Sequence, residues 1–423
     1  MVGSGSFIDA SVHDARAIRR AGAGLLGLAL MDARNRTLAW LSAFDELSWP
    51  LALDELDPPL WCIGHAGWYQ EYWVARHVQR GRGEAADPAA ARLASIEPMA
   101  DRWFDPQSSS RRQRWAASPP DAARLRAYLA ATLDASLDLL AGVADRGVAA
   151  DDDRALHVFR LALDREDRIG EALAVLAQAL DLAPERWQPL VDQGLWPDLT
   201  GRGRRDALVI GGQQWLLGSP PGGWVPAQER WAHDVAVADY EIDAQPVSWA
   251  QFAEFAADGA YDERRWWSTA GWDWIESGHR RAPRYVEQLT GAVLARRQGR
   301  LLRLPGAQSA VHVSAHEAQA WCQWAGRRLP IEAEWEMAAT LASARGFAWG
   351  EQLEWTAGSA RAYPGGPSPD AGAGPAGVAD GVGLRVLRGA TVHASPRLRH
   401  PRARRYAPAT GDELFAGFRS CAP

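Results

Sequence analysis

The sequence contains no lysine. All 46 basic residues are arginine, which excludes a Walker-type phosphate loop, a Schiff-base lysine and a lysine general base. Asparagine occurs once, at Asn35. The three cysteines, Cys62, Cys322 and Cys421, are far apart and form no Cys-x-x-Cys pair. That excludes a disulfide framework and fits a reducing cytoplasm. No uninterrupted apolar run reaches the ~18–20 residues of a membrane span, and no basic-flanked apolar segment opens the chain, so no membrane partner is expected. A net charge of −6 and a pI of about 6.0 give no support to a nucleic-acid partner.

What the 423 residues do hold in excess is tryptophan: 22, against 8 Tyr and 9 Phe. So many large rings suggest aromatic-lined clefts besides ordinary core. The length suits two domains. Residues 1–200 read as helical, with runs at Ala15–Phe44, Pro58–Arg80, Asp121–Ala144 and Arg154–Leu182. Four such helices make a four-helix bundle. In the second run, His65, Trp68, Tyr69 and Tyr72 fall at i, i+3, i+4 and i+7 and share one side. The fourth is amphipathic, but Asp164, Arg165, Glu166, Asp167, Arg168 and Glu171 put charge all around it for nearly two turns. The plain reading is a solvated face crossed by i,i+4 pairs such as Asp164–Arg168. Near residue 200 the texture changes. Gly201–Arg205 reads as a linker, and residues 205–423 are dense in Gly, Pro and Trp. Strands are expected at Ala207–Ile210, Asp234–Ile242 and Arg385–Leu387, and helices at Ser248–Ala257, Ser314–Ala325 and Ile331–Ala342. The whole reads as α+β.

Several motifs resemble known families. HVSAHEAQAWCQWAGRRLPIEAEWEMAA (312–339), EIDAQPVSWAQFAEF (241–255), Leu387-Arg-Gly389 and Gly417-Phe-Arg-Ser420 resemble the formylglycine-generating-enzyme, or sulfatase-modifying-factor, fold, a C-type-lectin-like α+β domain. Glu332, Glu334 and Trp335 are structural in such a domain. PPLWCIGHAGWYQEYWVAR (58–76) resembles the second helix of the DinB-like bundle that precedes this fold in ergothioneine synthases. GAYDERRWWSTAGWDWIES (259–277), RRAPRYVEQL (280–289) and FAGFRSCA (415–422) look most like the selenoneine synthase branch.

The resemblance implies a non-haem Fe(II) site between the domains, with His65 as a metal ligand. It also implies O₂-dependent coupling of a sulfur or selenium donor to hercynine, the trimethylated histidine, as small-molecule substrate. Arg404-Arg405-Tyr406 matches the family's substrate-binding Arg-Asn-aromatic motif, with Arg405 in place of the Asn. The family's other two iron histidines come from a His-x₃-His-x-Glu stretch on the fourth helix, which aligns with LALDREDRIGEAL (161–173). Those positions are Arg165 and Ile169, and only Glu171 is kept. Arginine cannot give up its proton to ligate iron, and isoleucine has no lone pair. His157, two turns away and about 80° around the helix, is poorly placed to replace them. The family's histidine ahead of Arg114-Trp115 falls on Arg111, and its aromatic loop after Glu354-Trp-Thr356 is replaced by a Gly/Pro/Ala stretch over 357–383, expected to pack little.

Three readings stay open: an iron synthase; a metal-free pseudoenzyme or binding module on the same scaffold; and a cleft in which Arg165, Arg168 and Arg405 bind an anion.

Overall fold

The structure, a computed structural model, describes residues 10–45, 47, 52–53, 55–118, 120–150, 152–197, 199–367 and 383–423. The N-terminal half begins with α1 (Ala15–Arg19) and α2 (Ala23–Phe44). A single helix was expected there. It breaks because Arg19 serves the other domain: its carbonyl accepts from Trp224 N–H at 2.7 Å and its guanidinium grips Glu229 with two 2.7 Å bonds. Then come α3 (Pro59–Gln70), the short α4 (Ala100–Phe104) and α5 (Arg111–Ala116), and α6 (Ala122–Asp145). The half ends with α7 (Asp153–Ala179) and α8 (Pro184–Asp192). Helices α2, α3, α6 and α7 form the bundle. By length and composition α6 resembles a membrane span, but it packs against α2 and α3.

Helix α7 organises the molecule. Asp152 caps it, accepting from the N–H groups of Arg154 and Ala155 at 3.0 and 2.9 Å. Its ring of charge is not a solvated face, and that expectation is corrected. The Asp164–Arg168 pair does form, at 2.6 Å. Glu166, however, is buried against Arg34 of α2 at 2.7 Å, and Asp167 is buried against Arg397 of the second domain at 2.6 Å. Glu171 meets Arg405 at 2.9 Å and Thr391 at 3.2 Å, again in the second domain. The charge runs all round because each sector of the helix faces a different partner.

Among the described residues, the second domain carries four small sheets. β1 (Leu208–Ile210) pairs with β4 (Tyr240–Ile242), and β2 (Gln213–Leu217) with β3 (His233–Val237). β5 (Val286–Gln288), β6 (Val293–Arg297) and β7 (Arg300–Leu304) form an antiparallel meander. The largest sheet runs β10 (Arg404–Pro408), β9 (Leu384–Gly389), β8 (Leu353–Ser359), β11 (Ala416–Gly417), with only β11 parallel to its neighbour. Four helices flank them: α9 (Trp249–Ala257), α10 (Thr269–Ser277), α11 (Ala315–Trp324) and α12 (Glu332–Leu341). Of these α10 was not foreseen, although Ser268 caps it.

The motif residues are scaffold. Trp249, Trp335 and Trp355 are fully buried, and Arg388 and Arg419 neutralise the buried carboxylates Glu336 and Glu354. Glu334 holds Arg328 with two 2.8 Å bonds. Residues 201–205, read as a linker, lie on this domain: Arg202 pairs with Glu351 at 2.7 Å and Arg205 donates to Gly346 O at 2.9 Å. Of the stretch over 357–383, residues 368–382 lie outside the described residues. Its start does pack, since Tyr363 is buried and donates to Glu332 at 3.0 Å.

The domain also holds a pH-sensitive carboxyl. Glu317 closes a capping box, accepting from Ser314 N–H and Oγ at 2.8 Å, and takes the Tyr261 hydroxyl at 2.6 Å. Burial nevertheless pushes its carboxyl up to about 7. A raised folded-state pKa means the folded chain holds this proton where the unfolded chain has lost it. The contribution is therefore complete below about pH 4.5 and falls as pH rises through about 7, by roughly 3 kcal/mol. Denaturant midpoints measured across that window should decline in the wild type and decline less in Glu317→Gln. Parallel curves would contradict this.

Candidate functional site

A cleft of about 730 Å³ lies between the bundle and the second domain. Helix α3 contributes Trp61, His65, Trp68 and Tyr69, and its continuation adds Tyr72 and Trp73. That continuation, Glu71–Ala75, is one π-helical turn closed by Arg76 N–H to Glu71 O at 2.9 Å. Helix α7 supplies His157, Leu161, Asp164, Arg165 and Arg168, and the second domain supplies Trp224, Pro226–Gln228, Arg230 and Pro367.

His65 lies deep in this wall, 2% exposed, with its ring stacked on Trp61 at 4.8 Å and Trp68 at 5.4 Å. The close approach depends on Gly64, where a Cβ would sit 2.1 Å from the ring of Phe104. Phe104 in turn presents its carbonyl 2.9 Å from His65 Nδ1. Arg165 Nη2 is 3.0 Å from His65 Nε2. One arrangement satisfies both contacts: Nδ1–H donates to Phe104 O, and Nε2 accepts from the guanidinium. Burial, and then the charge of Arg165, hold the imidazole well below its usual range, so it is neutral. The guanidinium carbon of Arg165 stands 5.4 Å over the Tyr69 ring, whose hydroxyl burial pushes up to about 12.

The one histidine lone pair at this point is therefore already used. Ile169 sits in the bundle core, 4% exposed. Among the described residues no group of three or more His, Cys, Asp or Glu side chains is placed to hold a metal ion. His157 lines the same cleft but packs on Trp224, ring centroids 5.4 Å apart. Glu171 is engaged with Arg405 and Thr391. The donor set does not fit a non-haem iron.

The Arg404-Arg405-Tyr406 strand does not reach His65. Arg404 and Arg405 line a narrow crevice that shares Asp164, Arg168, Trp224 and Pro226 with the cleft, and Tyr406 lines neither space. Arg404 is committed to Glu332 through bonds of 2.7 and 3.0 Å and lies over Tyr363 at 4.0 Å. It also donates to the Tyr406 hydroxyl. Arg405 ties the domains together through Glu171.

Other cleft residues escaped the sequence reading. Arg114 stacks 4.0 Å over Trp61 and pairs with the buried Asp57 at 2.8 Å. Trp224 is brought in by Gly223, whose backbone is left-handed (φ 68°) and where a Cβ would lie 2.4 Å from Arg19 O. The Gly-Gly-Trp turn was its only signal in the sequence.

Residues 29–178 match the DinB superfamily, and residues 200–365 match the sulfatase-modifying factor enzyme 1-like domain. The hercynine oxygenase of Mycolicibacterium smegmatis is 32% identical over 335 residues, 75% of this chain and 70% of that protein. The hercynine oxygenase of Mycobacterium tuberculosis is 30% identical, over 76% of this chain and 72% of its own length. The formylglycine-generating enzyme of Streptomyces coelicolor is 32% identical over 170 residues, 37% of this chain and 54% of that enzyme. Two-domain order and the extent of these matches lead to one assignment: the chain belongs to the hercynine oxygenase family.

Proposed function

We propose that the protein is a metal-free member of this family, a module that binds a small molecule in the interdomain cleft without assembling iron at His65. The observation that carries this reading is the 3.0 Å contact from Arg165 Nη2 to His65 Nε2. It occupies the lone pair a metal would need and brings a fixed positive charge to the spot. At ~5 Å and an effective dielectric of ~20, that charge costs a cation about 3 kcal/mol per unit of metal charge. Arg165 has no easy escape, because Glu166 is taken by Arg34 and Glu71 by Tyr128, Ser95 and Ile96. The three unpaired, buried cysteines support a cytoplasmic setting.

Protein purified without chelator or added iron should carry only traces of iron. Arg165→His with Ile169→His should raise it toward one per chain. Near-equimolar iron in the wild type, lost on His65→Ala, would overturn the reading.

That outcome would favour a second reading, supported by the extent of similarity to hercynine oxygenases and by His65 lying in the cleft wall. It is an iron- and O₂-dependent synthase joining a selenium or sulfur donor to hercynine. Its signature is product formed from hercynine, O₂ and the donor.

A further inference from the structure

Among the described residues, four guanidiniums line the cleft. Arg114 is paired with Asp57, Arg168 with Asp164, and Arg230 with Glu84. Arg165 has no carboxylate within 4 Å among the described residues, and its buried Nε–H has no acceptor. It is also held in place, stacked on Tyr69 and bonded to His65. Asp105, the remaining acid of the lining, accepts from the exposed Gln107 N–H at 2.8 Å.

The walls restrict the rest of the ligand. Arg165 covers Tyr69, Arg114 covers Trp61, and Arg92 lies 4.2 Å over Tyr72 and 5.2 Å over Trp73. Faces already holding cations are poor seats for a second cation. Trp61, Tyr69, Trp73 and Trp224 also line the cleft, and aromatic walls of this kind suit a flat ring. One unpaired guanidinium matches one negative charge, and the neighbouring Asp164 and Glu84 disfavour a dianion.

We infer that the cleft binds a small ring-bearing monocarboxylate, with Arg165 as its carboxylate receptor at the position where relatives of this fold would place a metal. The inference rests on the metal-free reading.

The test uses the whole chain at low ionic strength with imidazole-4-acetate and its neutral carboxamide, by isothermal titration, with iron measured in the same samples. The acetate should bind at least about tenfold more tightly than the amide, the usual difference when a hydrogen-bonded charge is lost. Arg165→Gln should abolish that preference. Inorganic phosphate, which has no ring, should not displace the acetate. A metal-free wild type that takes acid and amide equally, or binds neither, overturns the carboxylate assignment alone. So does displacement by phosphate, or a preference that survives in Arg165→Gln. Iron at one per chain overturns the metal-free reading, whichever probe binds. The wild-type comparison decides even if the variant folds poorly.

Discussion

Glu166→Ala should remove ~3–5 kcal/mol of folding free energy, the penalty expected when one partner of a buried ion pair is deleted and the other stays charged. Glu166 is 2% exposed and accepts from Arg34 Nε at 2.7 Å, Arg34 Nη2 at 3.1 Å and Thr37 Oγ1 at 2.8 Å. Arg34 also donates to Leu129 O, Thr132 Oγ1 and Gln70 Oε1, so it cannot turn toward water without breaking α2 from α3 and α6. Glu166→Leu combined with Arg34→Met should recover much of the loss, because the stranded charge is then gone as well. Urea midpoints at unchanged slope provide the measure. A loss below about 1 kcal/mol, the range of exposed pairs, would mean that water reaches the pair.

Arg397→Ala should cost about as much, ~3–5 kcal/mol, but as a different event. Arg397 comes from the second domain and enters the bundle. There it donates to Asp167 at 2.6 and 3.0 Å, to Asp32 at 2.7 Å and to Val12 O at 3.2 Å. Its removal leaves two bundle carboxylates, Asp32 and Asp167, without the cation they share, at an interface also held by Arg19–Glu229, Arg405–Glu171 and Arg230–Glu84. The wild type should melt in one calorimetric transition and the variant in two, since the domains lose a buried, multiply bonded coupling. A single transition shifted down would show that the remaining contacts suffice.

Both predictions concern residues whose role periodicity could not show. The helical run 154–180 and its charges were plain in the sequence, but counting faces says nothing about who stands opposite. Glu166 and Asp167 looked solvated because Arg34 lies 132 residues away and Arg397 lies 230 away. Motifs with local meaning were readable: His65 among aromatics at helical spacing, and the loss of imidazole at Arg165 and Ile169. What those losses put in place was not readable, since the contact between Arg165 and His65 is made only when α3 and α7 pack. The Arg404-Arg405-Tyr406 motif was matched by alignment, yet β10 spends Arg404 on Glu332 and Arg405 on Glu171. The break before Gly22 likewise has its cause in the other domain, at Trp224 and Glu229.

The burial of Cys62, Cys322 and Cys421 has a practical consequence. Burial pushes all three thiols well above their ordinary range, so little of the reactive thiolate forms at neutral pH. With no lysine in the chain, amine-directed reagents find no side chain either. A single cysteine introduced at the rim, at the exposed Gln107 on the bundle side or the half-buried Gln228 on the other, would be a unique chemical handle. One dye on each rim would report the width of the cleft while leaving the native residues unmodified.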